Sequence, residues 1–142
     1  MNNPVALIVC STFTLIAIWH FYMAFQPQTG LTGGVPSVQG KPLFVPSPAA
    51  TMAVGVVLLA FAGLVAATAG FVTVGLPQAV LVWLSYGLAA GLLARAVGEF
   101  KYVGFFKRVR DSKFARLDSL VYSPLCLLLA IGVAWVGWQH GS

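Results

Sequence analysis

The sequence predicts an all-α integral membrane protein, a four-helix bundle with a basic aromatic cytoplasmic loop between helices three and four. Three observations support this fold class: an apolar composition, uncharged stretches long enough to cross a bilayer, and basic residues gathered in one segment. Hydrophobic residues make up 59 % of the 142 residues, charged residues only 8 %, and the mean hydropathy is +0.91. Soluble domains are roughly 45–50 % apolar and about 25 % charged, so a soluble or disordered chain is excluded.

The first predicted helix covers residues 5–25, an apolar run without charge. At 1.5 Å per residue it reaches about 30 Å, enough to cross the hydrocarbon core of a membrane. No Lys or Arg precedes it and it ends in the aromatic run 19–22, so we interpret it as a retained helix and not a signal peptide. Residues 26–47 hold four Gly and four Pro, which predicts a turn-rich loop.

The second and third predicted helices cover residues 48–71 and 77–99. Ser47 is a good N-cap and Pro48 suits the first helical position. No charged residue occurs in the stretch 42–94, which is too long for one membrane span. It therefore predicts two antiparallel spans joined by a tight turn.

Small residues recur at a spacing of four on these two helices: Gly63 and Ala67 on the second, Gly87 and Gly91 on the third. Small side chains let helix backbones approach closely in lipid. We therefore expect the second and third helices to pack tightly. The alternative is that small residues are simply common in membrane spans.

The fourth predicted helix covers residues 119–138. Pro124 lies near its start, and we expect a helix capped near Asp118 and bent at Pro124. Trp135 and Trp138 fit the aromatic belt at the far membrane interface. All four spans then form a single transmembrane domain over the whole chain.

The basic residues are concentrated, since seven of the eight Lys and Arg lie between Arg95 and Arg116. The positive-inside rule therefore predicts that the loop between the third and fourth helices lies in the cytoplasm and that both termini lie outside. The loop either sets topology alone or also binds anionic lipid. The residues expected to contact lipid headgroups are Lys101, Lys107, Arg108, Arg110, Lys113 and Arg116.

A candidate polar pocket is predicted near the cytoplasmic face, where three helices bring polar groups to one depth: His20, Tyr22, Arg95, Glu99 and Asp118. Ionisable groups near the membrane are costly and often mark a functional site. Arg95 and Glu99 are four residues apart and can pair along a helix. Simpler interpretations stay open: Arg95 reaches to lipid phosphates, Asp118 only caps a helix, and His20 binds a carbonyl.

Motifs for several kinds of chemistry are absent from the sequence. It has no H-E-x-x-H, no nucleophile elbow and no phosphate-binding loop, so no metal and no cofactor is expected. Cys10 and Cys126 lie in apolar runs and are expected to serve as small apolar side chains. Nucleic acid is not an expected partner, because no water-exposed basic domain exists.

A family resemblance is carried by three segments, GEFKYVGFFKR, FARLD and YSPLC, at residues 98–108, 114–118 and 122–126. The chain resembles the bacterial membrane family catalogued as domain of unknown function 3995. Members are small four-span proteins with a histidine–any–tyrosine motif after the first helix, matched here by His20 and Tyr22. The chain departs from them at Met23, where tryptophan is usual, and in the loop 26–47. The resemblance implies a four-span fold and a location in the bacterial cytoplasmic (inner) membrane, and no particular activity.

Three functions remain open from the sequence. The first is a non-enzymatic protein that binds a lipid or small ligand or acts as an accessory subunit, with anionic lipids, further copies of the chain or a larger membrane complex as partners. The second is a membrane enzyme acting on a lipid or quinone-like substrate, with His20 as general acid/base, Glu99 orienting it and Arg95 holding an anionic group. The third is a transporter or channel, which would need an oligomer because four helices without charge in the central membrane layer form a poor path for ions.

Overall fold

The computed structural model describes residues 3–26 and 34–142, in which four long helices are apolar enough to cross a membrane. The fourth is divided by a π-helical turn, and a β-hairpin with strands of two residues each precedes the second. The elements are α1 (Pro4–Ala24), β1 (Ser37–Val38), β2 (Lys41–Pro42), α2 (Pro48–Thr68), α3 (Gln78–Val97), α4 (Lys113–Leu117), the π-turn (Asp118–Tyr122) and α5 (Ser123–Gly141).

The first two helices begin in the same way, with an Asx or Ser cap followed by proline. The side chain of Asn3 accepts a hydrogen bond from the Ala6 N–H at 3.1 Å, and the Ser47 hydroxyl accepts one from Ala50 at 3.1 Å. Pro follows each cap, where its missing N–H costs no helical hydrogen bond. The predicted role of Ser47 as an N-cap is confirmed.

The third helix ends at Val97, two residues before the predicted end at Glu99. Gly98 stops it, because its φ of +86° lies in the left-handed region that glycine adopts without strain. The N–H of Gly98 still donates to the carbonyl of Ala94 at 2.8 Å, which completes the last turn. Glu99 is therefore outside the helix, and it cannot pair with Arg95 through helical spacing.

The fourth helix begins at Lys113, so the prediction that Asp118 caps it is wrong. Ser112 is the N-cap, and its hydroxyl accepts a hydrogen bond from the N–H of Ala115 at 3.0 Å. Pro124 has no backbone N–H to donate to a helical hydrogen bond, and the helix accommodates it with a π-turn. In that turn the N–H of Ser123 donates to the carbonyl of Asp118, five residues back.

Part of the predicted loop 26–47 forms a β-hairpin, in which Ser37 pairs with Pro42 and Val38 with Lys41. Both turn residues have positive φ, 51° at Gln39 and 77° at Gly40. Positive φ at both central residues is the requirement of a type I′ turn. Residues 27–33 of this loop lie outside the described residues.

The helices form two closely packed antiparallel pairs, α1 with α2 and α3 with α5. A Cβ atom at Gly55 of α2 would lie 2.5 Å from the Phe21 ring of α1, so a glycine is needed there. Between the pairs lies an apolar core with Phe13, Val65 and Val133 fully buried. The core is therefore built from side chains of all four helices.

Most side chains on the long helices face outward. In the most apolar 18-residue stretch of each helix, only 17 % is buried in α2 and 39 % in the fourth span. Water could not solvate so much exposed apolar surface, whereas the hydrocarbon core of a membrane can. The exposed surface is thus the one expected of a multi-pass membrane protein.

The bundle has two ends, which differ in their connections. At the loop end α1 and α3 stop and α2 and α4 begin, so both long connections lie there. At the turn end, α2 and α3 are joined by residues 69–77, and Asn3 Nδ2 donates to Gln139 Oε1 at 2.9 Å. The predicted polar pocket belongs to the loop end.

Candidate functional site

The connection between α3 and α4, residues 98–112, is folded back on the end of α3. A Cβ atom at Gly98 would lie 1.8 Å from the carbonyl oxygen of Val103, and one at Gly104 would lie 2.3 Å from that of Val97. Both glycines have positive φ, +86° and +89°. The N–H of Phe105 also donates to the carbonyl of Ala96, in the last turn of α3, at 2.8 Å. Only glycine permits this contact between the two backbone segments.

Asp118 holds this connection to the fourth helix and has no exposed surface. Its Oδ1 accepts from Arg95 Nη2 at 2.9 Å. Its Oδ2 accepts from the Gly104 N–H at 2.7 Å and from Lys107 Nζ at 3.0 Å. A buried carboxylate is tolerated only with such partners. Asp118 therefore joins α3, the connection and the π-turn.

Lys107 is the second buried charge, and its ammonium is fully satisfied. An ammonium group has three N–H donors. These donate to the carbonyl of Gly104 at 2.9 Å, to Asp118 Oδ2 at 3.0 Å and to the Ser119 hydroxyl at 2.6 Å. The expectation that Lys107 contacts lipid headgroups is therefore wrong, because its charge is used inside the protein.

Arg95 is less completely satisfied than Lys107. A guanidinium has five N–H donors, and within the described residues only Nη2 makes a hydrogen bond, to Asp118. Nη1 is buried without a partner there, while 35 % of the side chain stays exposed. Two cations thus share one carboxylate, so the cluster formed by Arg95, Lys107 and Asp118 carries a net charge of +1.

The other members of the predicted pocket lie elsewhere at the loop end. The Glu99 carboxylate accepts from the backbone N–H of Tyr102, and His20 Nδ1 lies 2.8 Å from the carbonyl of Ile16 in its own helix. Tyr22 packs against the Trp19 ring and is mostly exposed. Among the described residues no hydrogen bond joins His20, Glu99 or Tyr22 to the Asp118 cluster.

The remaining basic residues of the connection and α4 point outward. Further hydrogen bonds order the segment, since the N–H groups of Arg108 and Val109 both donate to the carbonyl of Lys101. Arg110 also supports the backbone, because its Nε donates to the carbonyl of Lys107 at 3.1 Å. The exposed basic side chains are Lys101, Arg108, Arg110, Lys113 and Arg116.

Three residues that support the cluster were not predicted from the sequence: Gly98, Gly104 and Ser119. Two glycines six residues apart after a helix were a usable signal, since each can end a helix or allow close backbone contact. No sequence signal separates the buried Lys107 from the exposed basic residues around it.

The second feature is a groove of about 690 Å³ on the surface of α3 beside α2. Two of the glycines expected to join these helices, Gly87 and Gly91, leave the groove open, and a Cβ at either of them or at Gly63 would meet nothing within 4 Å. The predicted tight packing of the two helices through these glycines is therefore wrong. The groove is lined by Phe61, Leu64, Trp83, Leu84, Gly87, Leu88, Gly91, Leu92 and Arg95.

A buried polar contact joins α2 to α3 beside this groove. The hydroxyl groups of Thr68 and Ser85 lie 2.9 Å apart, and both residues are fully buried. Gln78 Nε2 donates to the carbonyl of Thr68 at 2.9 Å. The turn end of the two helices is thus held by hydrogen bonds, and the groove begins beyond it.

The described residues 3–26 and 34–142 contain no group of three His, Cys, Asp or Glu side chains placed to hold a metal ion. Their chemistry at the loop end is ionic and hydrogen-bonding, with excess positive charge. Such an arrangement favours binding of an anion.

Comparison with known proteins gives one relationship. No curated protein and no solved structure matches the chain. One family model matches residues 13–133, which include all of α2 and α3, the connection 98–112 and the Asp118 cluster. The chain therefore belongs to the family described as protein of unknown function DUF3995, as the resemblance implied.

Proposed function

We propose that this protein is a non-enzymatic component of the bacterial cytoplasmic membrane that binds anionic lipid headgroups with its loop end. The observation that carries the proposal is a set of exposed basic side chains on a segment whose backbone is fixed to a buried carboxylate, Asp118. We call this set the basic surface: Lys101, Arg108, Arg110, Lys113 and Arg116.

The charge of this surface supports an anionic partner. Its five positive side chains share the segment 99–116 with two exposed acidic ones, Glu99 and Asp111, which leaves +3 without the buried Lys107. A basic residue next to an anionic leaflet contributes about 1 kcal/mol to binding. An anionic membrane surface is therefore attracted, and salt should weaken the attraction.

Exposed aromatic rings among these charges support a lipid as the partner. Phe100 and Phe106 are 55 % and 62 % exposed, next to the basic residues of the connection. Apolar rings between cationic groups enter the boundary between headgroups and acyl chains. A surface for a water-soluble acidic ligand would gain nothing from exposing two phenylalanine rings.

The folded state of the connection supports binding without a large ordering cost. Its backbone is fixed by the Phe105 hydrogen bond to α3 and by the Gly104 hydrogen bond to Asp118. A preorganised surface loses little conformational entropy when a ligand binds. The positive-inside rule supports a cytoplasmic position for it, which places both termini outside.

Lipid retention measured by native mass spectrometry tests the proposal. The protein is purified in a mild detergent and mixed with phosphatidylglycerol or phosphatidylcholine, and the lipids bound per protein are counted. We expect preferential retention of phosphatidylglycerol, with a preference that falls as salt rises. The same spectra count the chains per particle, which tests the expected homo-oligomer.

A variant without most of the basic surface gives the decisive comparison. The substitutions K101Q/R108Q/K113Q/R116Q remove four charges and keep Arg110, which supports the backbone. The matched control is K41Q on the hairpin, where the one basic residue outside the 95–116 segment lies. The quadruple variant should retain fewer phosphatidylglycerol molecules per protein than the wild type, while K41Q retains as many. Equal retention by the quadruple variant and the wild type would overturn the proposal.

A further inference from the structure

The groove along α3 has the dimensions of a site for one lipid chain. Its volume of about 690 Å³ lies within the usual 300–1,000 Å³ of ligand pockets. From Trp83 to Arg95 it follows twelve residues of helix, about 18 Å at 1.5 Å per residue. One leaflet of the hydrocarbon core is about 15 Å deep. The groove therefore runs from the loop-end interface through one leaflet.

The inner wall of the groove is formed by two glycines of α3, which have no side chains to fill the space. Gly87 and Gly91 line it, and a methyl group added at either position would meet no atom within 4 Å. Phe61 and Leu64 of α2 form the opposite wall. In a membrane this space is filled by lipid, and its apolar walls suit an acyl chain.

The loop-end limit of the groove is Arg95, which gives it a cationic end. Arg95 lines the groove, and its guanidinium belongs to a cluster with a net charge of +1. Nη1 has no partner among the described residues, so the guanidinium keeps N–H donors beyond the one that Nη2 gives to Asp118. A guanidinium binds phosphate through paired hydrogen bonds.

We propose that this groove is a binding site for one anionic phospholipid of the loop-end leaflet. One acyl chain lies over Gly87 and Gly91, and the phosphate binds the Arg95 guanidinium. The proposal deepens the proposed function and rests on it only for the preference for anionic headgroups. It adds a single site inside the leaflet, separate from the basic surface.

The substitution Gly91→Leu tests the site, because its side chain would occupy the groove. It should fold normally, since a Cβ at Gly91 meets no other atom within 4 Å. The matched control is Gly63→Leu on α2, where a Cβ also meets nothing and which does not line the groove. Both proteins are stripped of loosely bound lipid by detergent and titrated with phosphatidylglycerol in native mass spectrometry.

We expect the wild type and Gly63→Leu to retain one phosphatidylglycerol tightly, and Gly91→Leu to bind it about tenfold more weakly. Arg95→Gln should lose the preference for phosphatidylglycerol over phosphatidylcholine at this site. Equal binding by Gly91→Leu and Gly63→Leu would overturn the proposal. Equal tight retention of phosphatidylcholine, or displacement of the bound lipid by palmitate at similar concentration, would overturn the choice of an anionic phospholipid.

The two lipid proposals fail separately. The quadruple basic-surface variant should keep the one tightly held phosphatidylglycerol and lose the others. If it loses none, the basic surface is not the headgroup site, and the Gly91→Leu titration still decides the groove. If Gly91→Leu loses none, the groove is not a site, and the quadruple variant still decides the basic surface.

Discussion

Two lysines six residues apart in the connection 98–112 differ in exposure and in role. Lys101 is exposed, and its ammonium lies 5.0 Å from the centre of the Tyr102 ring. Lys107 is buried, and its three donors are bound to Gly104, Asp118 and Ser119. The first is available to a ligand, whereas the second stabilises the segment that presents it. Basic residues in one run can thus divide into buried residues with a structural role and exposed residues without one.

The division follows from the cost of burying a charge. A buried ammonium loses its hydration, and it is tolerated only when a carboxylate and further acceptors replace the water. Asp118 supplies the carboxylate, and the backbone contact between Gly98 and Gly104 sets the position of the Gly104 carbonyl. The exposed lysines need no such partners, because water or lipid headgroups surround them.

The largest effect is expected from Asp118→Ala, which removes the shared partner of both buried cations. Breaking a buried ion pair from one side costs about 3–5 kcal/mol, because the remaining charge is left unpaired. We expect a loss of that size in the free energy of unfolding in detergent, followed by tryptophan fluorescence. Hydrogen exchange should also become faster across residues 98–112.

The control for this prediction is Asp118→Asn, which keeps the size of the side chain and removes its charge. A loss close to that of Asp118→Ala is expected, since both leave two cations with no carboxylate. Stability of Asp118→Ala within about 0.5 kcal/mol of the wild type, the usual range for a surface substitution, would refute the structural role of the cluster.

The next effect is expected from Gly104→Ala, which acts on the backbone. Forcing a side chain to φ +89° costs about 1–3 kcal/mol, and the clash of its Cβ with the Val97 carbonyl adds to this. Gly75→Ala is the matched control, because Gly75 has φ +67° with open space around it. Gly104→Ala should lower the thermal unfolding midpoint more than Gly75→Ala does. Equal shifts would mean that the backbone contact adds nothing.

A smaller effect is expected from Ser119→Ala, which removes one of the three acceptors around Lys107. A hydrogen bond to a charged group contributes about 1.5–3 kcal/mol, and we expect the lower end because two acceptors remain. The measurement is the free energy of unfolding in detergent. An unchanged value would show that the Lys107 ammonium does not need the Ser119 hydroxyl.

The smallest effect is expected from His20→Ala. His20 makes its hydrogen bond within its own helix and none to the Asp118 cluster among the described residues. Phosphatidylglycerol retention should therefore match that of the wild type. A large loss of retention, with unchanged stability, would restore His20 to the candidate site and weaken the assignment to the basic surface.

The sequence predicted the four helices well, because the apolar runs and the Ser47 cap of the second helix are local features. The prediction failed where contacts between residues far apart in the sequence determine the structure. The fourth helix begins at Lys113 and not at the predicted residue 119, and Asp118 binds Arg95 instead of capping a helix. The glycines at 87 and 91 line an open groove, because spacing alone does not say whether another helix fills the space they leave.

The candidate site was predicted in part. Arg95 and Asp118 were both named from the charge distribution, and the structure brings them into contact. Glu99 was named from its depth and its spacing from Arg95, and His20 from its depth and the family motif. Hydrogen bonds to the local backbone hold both of them elsewhere. Depth in a membrane follows from the sequence, whereas rotation about a helix and the path of a loop follow from packing.

The most direct test of this division is one substitution made at both lysines. Lys107→Gln and Lys101→Gln are compared in two measurements on the same samples, the free energy of unfolding in detergent and the affinity for phosphatidylglycerol. Lys107→Gln should lower stability by about 2 kcal/mol, because a buried carboxylate loses a charged partner. Lys101→Gln should leave stability within about 0.5 kcal/mol and weaken lipid binding. A stable Lys107→Gln variant whose only defect is lipid binding would contradict the account.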